Sequence, residues 1–185
     1  MSFATDLAWS QSQHVADWWE SAYRQVWPDL ATMAAVDEDG WGQRAGIDRV
    51  LTLQSGRTIL IDEKVVRRTY SSFFLEFWSD MQRQEPGWIC KPLLAEYIAY
   101  AFAPSATCYL LPVLGLQTAW RQNGEAWKSR YGERPIQNAR WVTVGVPVPI
   151  TVVLDGVRDA MVVTVAKSLD SSIPSSQPGR QPPHG

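Results

Sequence analysis

A chain of 185 residues with 45% hydrophobic and 19% charged residues can bury the core of one domain. Its formal charge of −2 gives no general attraction to nucleic acid and argues against a stoichiometric nucleic-acid coat. No apolar run approaches the ~18–20 residues of a membrane span, and the start Met-Ser-Phe-Ala-Thr-Asp lacks the basic and apolar regions of a signal peptide. A cytoplasmic protein is expected. Cys90 and Cys108 lie far apart and read as free buried thiols, as that compartment favours. With His14 and His184 the only histidines, histidine-based catalysis and zinc sites lack their usual ligands. Neither a serine-hydrolase elbow nor a P-loop is present.

Residues 1–12 are mostly polar and read as frayed. A helix is predicted over 14–27, where Val15, Trp18, Trp19, Ala22, Tyr23 and Val26 follow helical spacing and Pro28 ends the pattern. Glu20 lies near the edge of that stripe. The chain has ten tryptophans, so most must be core, with one or two left to stack on unpaired bases. Residues 30–42 read as a loop or short helix with an acidic run, Asp37-Glu38-Asp39. Gly40 to Ala45 matches a relaxed dinucleotide fingerprint, but that motif needs a strand before it and a helix after it. Here an acidic turn precedes and a strand follows. The glycines are read instead as letting backbone approach closely, with Gln43 as a polar contact.

Two antiparallel strands are predicted over 47–53 and 57–66. Gln54-Ser55-Gly56 suits a three-residue hairpin loop, whose last position takes a positive φ and favours glycine. That loop sets Leu53 opposite Arg57, and therefore Asp48 opposite Asp62. Because side chains alternate, Asp48, Val50 and Thr52 share one face with Leu60, Asp62 and Lys64. Two carboxylates opposed on an apolar face repel and lose hydration. A divalent cation between them would relieve both penalties. Lys64 points to the same place, where an ammonium can hold an anionic oxygen or activate a water. Oxygen ligands suit Mg²⁺ or Mn²⁺ rather than zinc. A hard cation, two acids and a lysine suit phosphodiester hydrolysis. Between Gly40 and Tyr70 six basic residues face three acids, so the segment is locally positive.

Arg67 and Arg68 follow as either a solvated pair or a phosphate clamp. A third strand is predicted over 72–79, a polar loop over 80–86 and a helix over 92–102. Lys91, with Tyr97 or Tyr100, either packs and caps that helix or reaches a phosphate. A strand over 107–113 and a helix over 114–131 come next. A strand over 139–146 is stopped by Pro147 and Pro149, and 152–163 reads as helix in preference to strand. One domain is expected over 1–168, and 169–185, rich in serine, proline and glycine, reads as a disordered tail.

Asp48, a turn and then Asp62-x-Lys64 resemble the PD-(D/E)xK signature of restriction, recombination, repair and phage nucleases. The residue between acid and lysine is usually apolar in that family; here it is Glu63. The resemblance covers roughly residues 13–115. It implies an α/β fold with a restriction-endonuclease-like αβββαβ core, a central mixed sheet flanked by helices, followed by extra C-terminal α/β elements. It implies a nuclease with Mg²⁺ or Mn²⁺ as cofactor, held by Asp48, Asp62 and the carbonyl of Glu63, with Lys64 acting on the attacking water. A first-helix glutamate often faces the metal in that family, so Glu20 is either a catalytic acid or a solvated residue, with Asp17 its competitor. Gln43, Arg49, Arg67, Arg68 and Lys91 are the expected nucleic-acid contacts, DNA in preference to RNA, with no membrane partner. A junction-selective enzyme would need a homodimer, and the acidic net charge leaves targeting to a partner protein. The alternative is a non-catalytic accessory protein on the same fold, phage-encoded for example.

Overall fold

The computed structural model of the protein describes residues 18–36 and 45–165. Gln43, the first turn of the predicted helix with Asp17, and the predicted tail 169–185 lie outside the described residues. Ten strands and three α-helices are present among the described residues, forming two sheets.

The hairpin follows the loop chemistry. Strands β2 (Arg49–Leu53) and β3 (Thr58–Val66) pair antiparallel, with Val50 opposite Leu60 and Arg49 opposite Ile61. Gly56 closes the turn at φ 83°, and its N–H donates to the Leu53 carbonyl at 2.9 Å. This is the predicted register. On the outer side of β2 lies β1 (Leu30–Ala35), where a loop or short helix was expected. Its Ala-rich sequence, with four exposed positions of six, shows no strand alternation strong enough to read.

Strand β4 (Ser72–Asp80) forms as predicted but leaves the central sheet. It pairs antiparallel with β9 (Val142–Pro149) and with the short β5 (Glu85–Pro86), and β8 (Arg134–Gln137) extends this second sheet from the far side of β9. Pro147 and Pro149 do not stop β9. The pairing with β8 ends at Gly145, so beyond that point one side of β9 needs no ladder donors.

The helix predicted over 92–102 is not formed. Residues 97–102 are β6 (Tyr97–Phe102), running parallel to β3 with Asp62 beside Ile98 and Lys64 beside Tyr100. A central strand covered on both faces reads as a continuous apolar run, which a helical pattern can match by chance. The true period is two: Ile98, Tyr100 and Phe102 enter one core, and Ala99 and Ala101 the other. Then β7 (Thr107–Pro112) pairs with β6, and α2 (Val113–Tyr131) follows. The stretch predicted as one helix over 152–163 divides into α3 (Ile150–Gly156) and the edge strand β10 (Met161–Thr164). The central sheet is thus mixed, in the order β1-β2-β3-β6-β7-β10.

Helix α1 (Trp18–Val26) covers one face of this sheet, placing Trp19 and Tyr23 on Leu51, Ile59 and Ile61. The second sheet, α2 and α3 cover the other face, with Phe73, Leu75 and Val146 in its core. Asp62 and Lys64 lie on the face toward the second sheet, and Glu63 faces α1. No helix is long and apolar enough to cross a membrane among the described residues.

Candidate active site

Asp48 immediately precedes β2, where the ladder with β3 loosens. Its N–H donates to the Ile61 carbonyl at 2.8 Å, one residue out of the register that holds further along. The N–H of Glu63 donates to Asp48 Oδ2 at 2.7 Å. A backbone bond has been exchanged for a carboxylate one, which draws Asp48 against β3 and toward Asp62. The charge of Asp48 is felt at the Asp62 carboxyl. In a strand, one residue's N–H and C=O project to the same side, so the Glu63 carbonyl also faces Asp48.

Asp62 is only 2% exposed. Lys64 Nζ pairs with its Oδ1, while Oδ2 is buried without a hydrogen-bond partner. A buried, unpaired carboxylate oxygen is costly and calls for an account. Burial, reinforced by the Asp48 charge, pushes the Asp62 carboxyl up to about 6, against the opposing pull of the Lys64 ammonium. Burial by itself would lower the pKa of Lys64; the charges of Asp62 and Asp48 outweigh it and raise it.

A cavity of about 410 Å³ opens over Asp48 and Lys64, lined also by Glu63, Phe74, Trp88 and Tyr100, with Asp62 behind its lining. Tyr100 supplies its hydroxyl oxygen to the Phe74 N–H at 3.2 Å, tying β6 to β4 at the cavity wall. Larger space beside Pro92–Tyr97 and the start of α2 is mainly apolar, with Glu96 and Gln117 in its lining and neither Asp48 nor Asp62.

Asp48, Asp62, Lys64 and the Glu63 backbone are therefore brought together. Glu20 is not. It is exposed and ion-paired with Arg24 at 2.7 Å, on a helix that covers the opposite face of the sheet. Arg49 is not brought to the site either. It is 5% exposed, with Nε and Nη2 donating to Glu63 at 2.9 and 3.0 Å. Alternation explains this: a residue next to Asp48 must face the other way. Arg67 (half-buried) and Arg68 (exposed) leave the end of β3 just beyond Lys64. Lys91 is half-buried and within electrostatic reach of Glu76.

Glu76 is the acid that sequence reasoning did not assign. It projects from β4 where the pairing with β9 shifts between Glu76 and Trp78. Its carboxylate feels the charges of Lys64, Lys91 and Asp62. Burial raises its pKa, with Lys64 opposing. The available signal was a lone acid within the apolar run Phe73–Trp78.

No family model, curated protein or solved structure matches this chain.

The donor set must therefore be judged by its own chemistry. Among the described residues, no three or more His, Cys, Asp or Glu side chains gather closely enough to hold a metal. The gathered side chains are two, Asp48 and Asp62, joined by a backbone carbonyl. Mg²⁺ is commonly held by one or two carboxylates, with water and substrate phosphate completing the octahedron. The orphaned Oδ2 of Asp62, beside a second carboxylate, fits such an ion.

Proposed function

We propose that this protein is a metal-dependent nuclease that hydrolyses DNA phosphodiester bonds at the Asp48–Asp62–Lys64 site. The observation that carries the reading is Asp62 Oδ2, buried and unpartnered beside a second carboxylate, with a lysine on the same strand. Asp48, Asp62 and the Glu63 carbonyl would hold Mg²⁺ or Mn²⁺. Bound there, the ion would polarise the phosphoryl group and acidify a water. Lys64 would orient that water and donate to the negative charge that builds on the phosphoryl oxygens. Arg67, Arg68 and Lys91 would bind flanking phosphates, which position the substrate without reading its sequence.

The element order lends support. Helix α1 and strands β1, β2 and β3 match the first four elements of the αβββαβ order of the PD-(D/E)xK family, and β6 takes the place of its last strand, but the second helix of that order is absent among the described residues. Strands β4 and β5 stand where that family has its second helix. A second reading, a non-catalytic accessory protein on the same fold, draws support from the two-carboxylate count among the described residues.

The deciding experiment incubates labelled linear, circular and branched DNA, and an RNA oligonucleotide, with Mg²⁺, Mn²⁺ or a chelator. Metal-dependent cleavage by the native chain, abolished in folded Asp62→Ala and lowered by about 10²–10³-fold in folded Lys64→Ala, is expected. Cleavage at the native rate in either variant, or none by the native chain in any condition, would remove the assignment.

A further inference from the structure

Directly behind the two acids, on the other face of the same strand pair, lies a second cluster of polar groups. Arg49 follows Asp48 in sequence, and Glu63 stands between Asp62 and Lys64. Arg49 Nε and Nη2 donate to Glu63 Oε1 and Oε2 at 2.9 and 3.0 Å, a two-pronged pair. The Tyr23 hydroxyl, from α1, donates to Oε1 at 2.8 Å. All three residues are at most 5% exposed. A buried ion pair is weak as a source of stability, because desolvation cancels much of the attraction. An apolar pair of similar volume would hold β2 against β3 at least as well. Something other than stability should therefore account for charges at this position.

Their placement supplies the account. Arg49 sits opposite Ile61, so its bond to Glu63 runs diagonally across the strand pair. The diagonal spans the point where the ladder loosens and the Glu63 N–H turns to the Asp48 carboxylate. Arg49 and Asp48 share one backbone segment, as do Glu63 and Asp62. A fixed fork on one face therefore sets the spacing of the two carboxylates on the other. Tyr23 ties the same carboxylate to α1 and limits rotation of the Glu63 side chain.

We infer that Arg49, Glu63 and Tyr23 form a positioning network that holds Asp48 and Asp62 at cation-binding distance from behind the sheet. The inference rests on the metal-site reading given under Proposed function. It also gives a role to the glutamate at a position where the resembling family usually has an apolar residue.

The test separates fold from site. The paired substitution Arg49→Met with Glu63→Leu, made in a Tyr23→Phe background so that no buried hydroxyl loses its acceptor, replaces the ion pair by apolar groups of similar size, and Tyr23→Phe alone removes one hydroxyl. Mn²⁺ binding is followed by calorimetric titration and thermal unfolding by circular dichroism, so neither readout requires cleavage. The paired variant should unfold at or above the wild-type temperature, yet bind Mn²⁺ about 10–100-fold more weakly, the usual loss on removing outer-shell support. Tyr23→Phe should remain folded and weaken Mn²⁺ binding by a smaller factor, which keeps the test open if the paired variant fails to fold. Wild-type Mn²⁺ affinity in a folded paired variant, or in Tyr23→Phe should only that variant fold, would overturn the network. A wild-type chain that binds no Mn²⁺ would instead remove the metal site itself, and this inference with it.

Discussion

Replacing Asp62 by asparagine should stabilise the protein above neutral pH and abolish its response to Mg²⁺. The carboxyl of Asp62 is pushed up to about 6, chiefly by burial and further by Asp48, against Lys64. In the unfolded chain its pKa is about 3.9. The native state thus binds this proton more tightly than the unfolded state does. Stability tied to Asp62 is then greatest below about pH 4, declines between about pH 4 and 6, and stays lowest above that window. A shift of about two units corresponds to about 3 kcal/mol. At 2% exposure, solvent screening removes little of it. Asparagine has the shape of the protonated acid and carries no charge. It also leaves Lys64 without its partner, although that side chain is 31% exposed and regains water. A net gain of about 1–3 kcal/mol at pH 8 is expected, or about 3–10 °C in Tm for a chain of this size. The gain should shrink toward zero near pH 4. Mg²⁺ at a hundred times its Kd should add about 2.7 kcal/mol to the native chain and nothing to the variant. Thermal unfolding followed by circular dichroism, from pH 4 to 8 with and without Mg²⁺, reads every arm. A variant less stable than wild type at pH 8, or a native chain indifferent to Mg²⁺, would refute the reasoning.

Lys64→Ala should leave Mg²⁺-induced stabilisation in place while lowering cleavage by about 10²–10³-fold, as expected for loss of one preorganised donor; parallel titration and nuclease assays check this. Asp48→Ala should lose both metal response and cleavage, because it removes a ligand and the acceptor of the Glu63 N–H; the same two assays apply. Arg49→Ala should destabilise the fold by about 3–5 kcal/mol, since it leaves Glu63 charged and buried; chemical denaturation measures it. Gly56→Ala should cost about 1–2 kcal/mol through backbone strain alone, because φ is 83° and a Cβ there meets nothing within 4 Å. Unfolding of that variant with unchanged Mg²⁺ affinity would separate turn strain from site geometry.

The hairpin was legible because everything that defines it is local. Gly56 sets the turn, the turn sets the register from Arg49 to Thr52, and alternation places Asp62 and Lys64 on one face, while Asp48 lies past the last paired residue and bonds one residue out of register. The same alternation, applied with equal care, excludes Arg49 from that face. Helix α1 was visible in the spacing of its aromatic residues, but Glu20 was not placed by it, since spacing cannot say which face of a sheet a helix will cover. Glu76 stayed unassigned because its approach to Lys64 runs from one sheet to the other.

By itself, the sequence determined the turn, the strand register and the shared face of Asp62 and Lys64, because φ preference and the two-residue strand period act over a few neighbouring residues. Only the tertiary structure decided that residues 97–102 are a strand rather than a helix, that β4 pairs with β9 in a second sheet, and that Glu63 meets Arg49 and Tyr23 behind the site. Those outcomes depend on which apolar faces are covered from both sides, and that is settled between segments far apart in the chain.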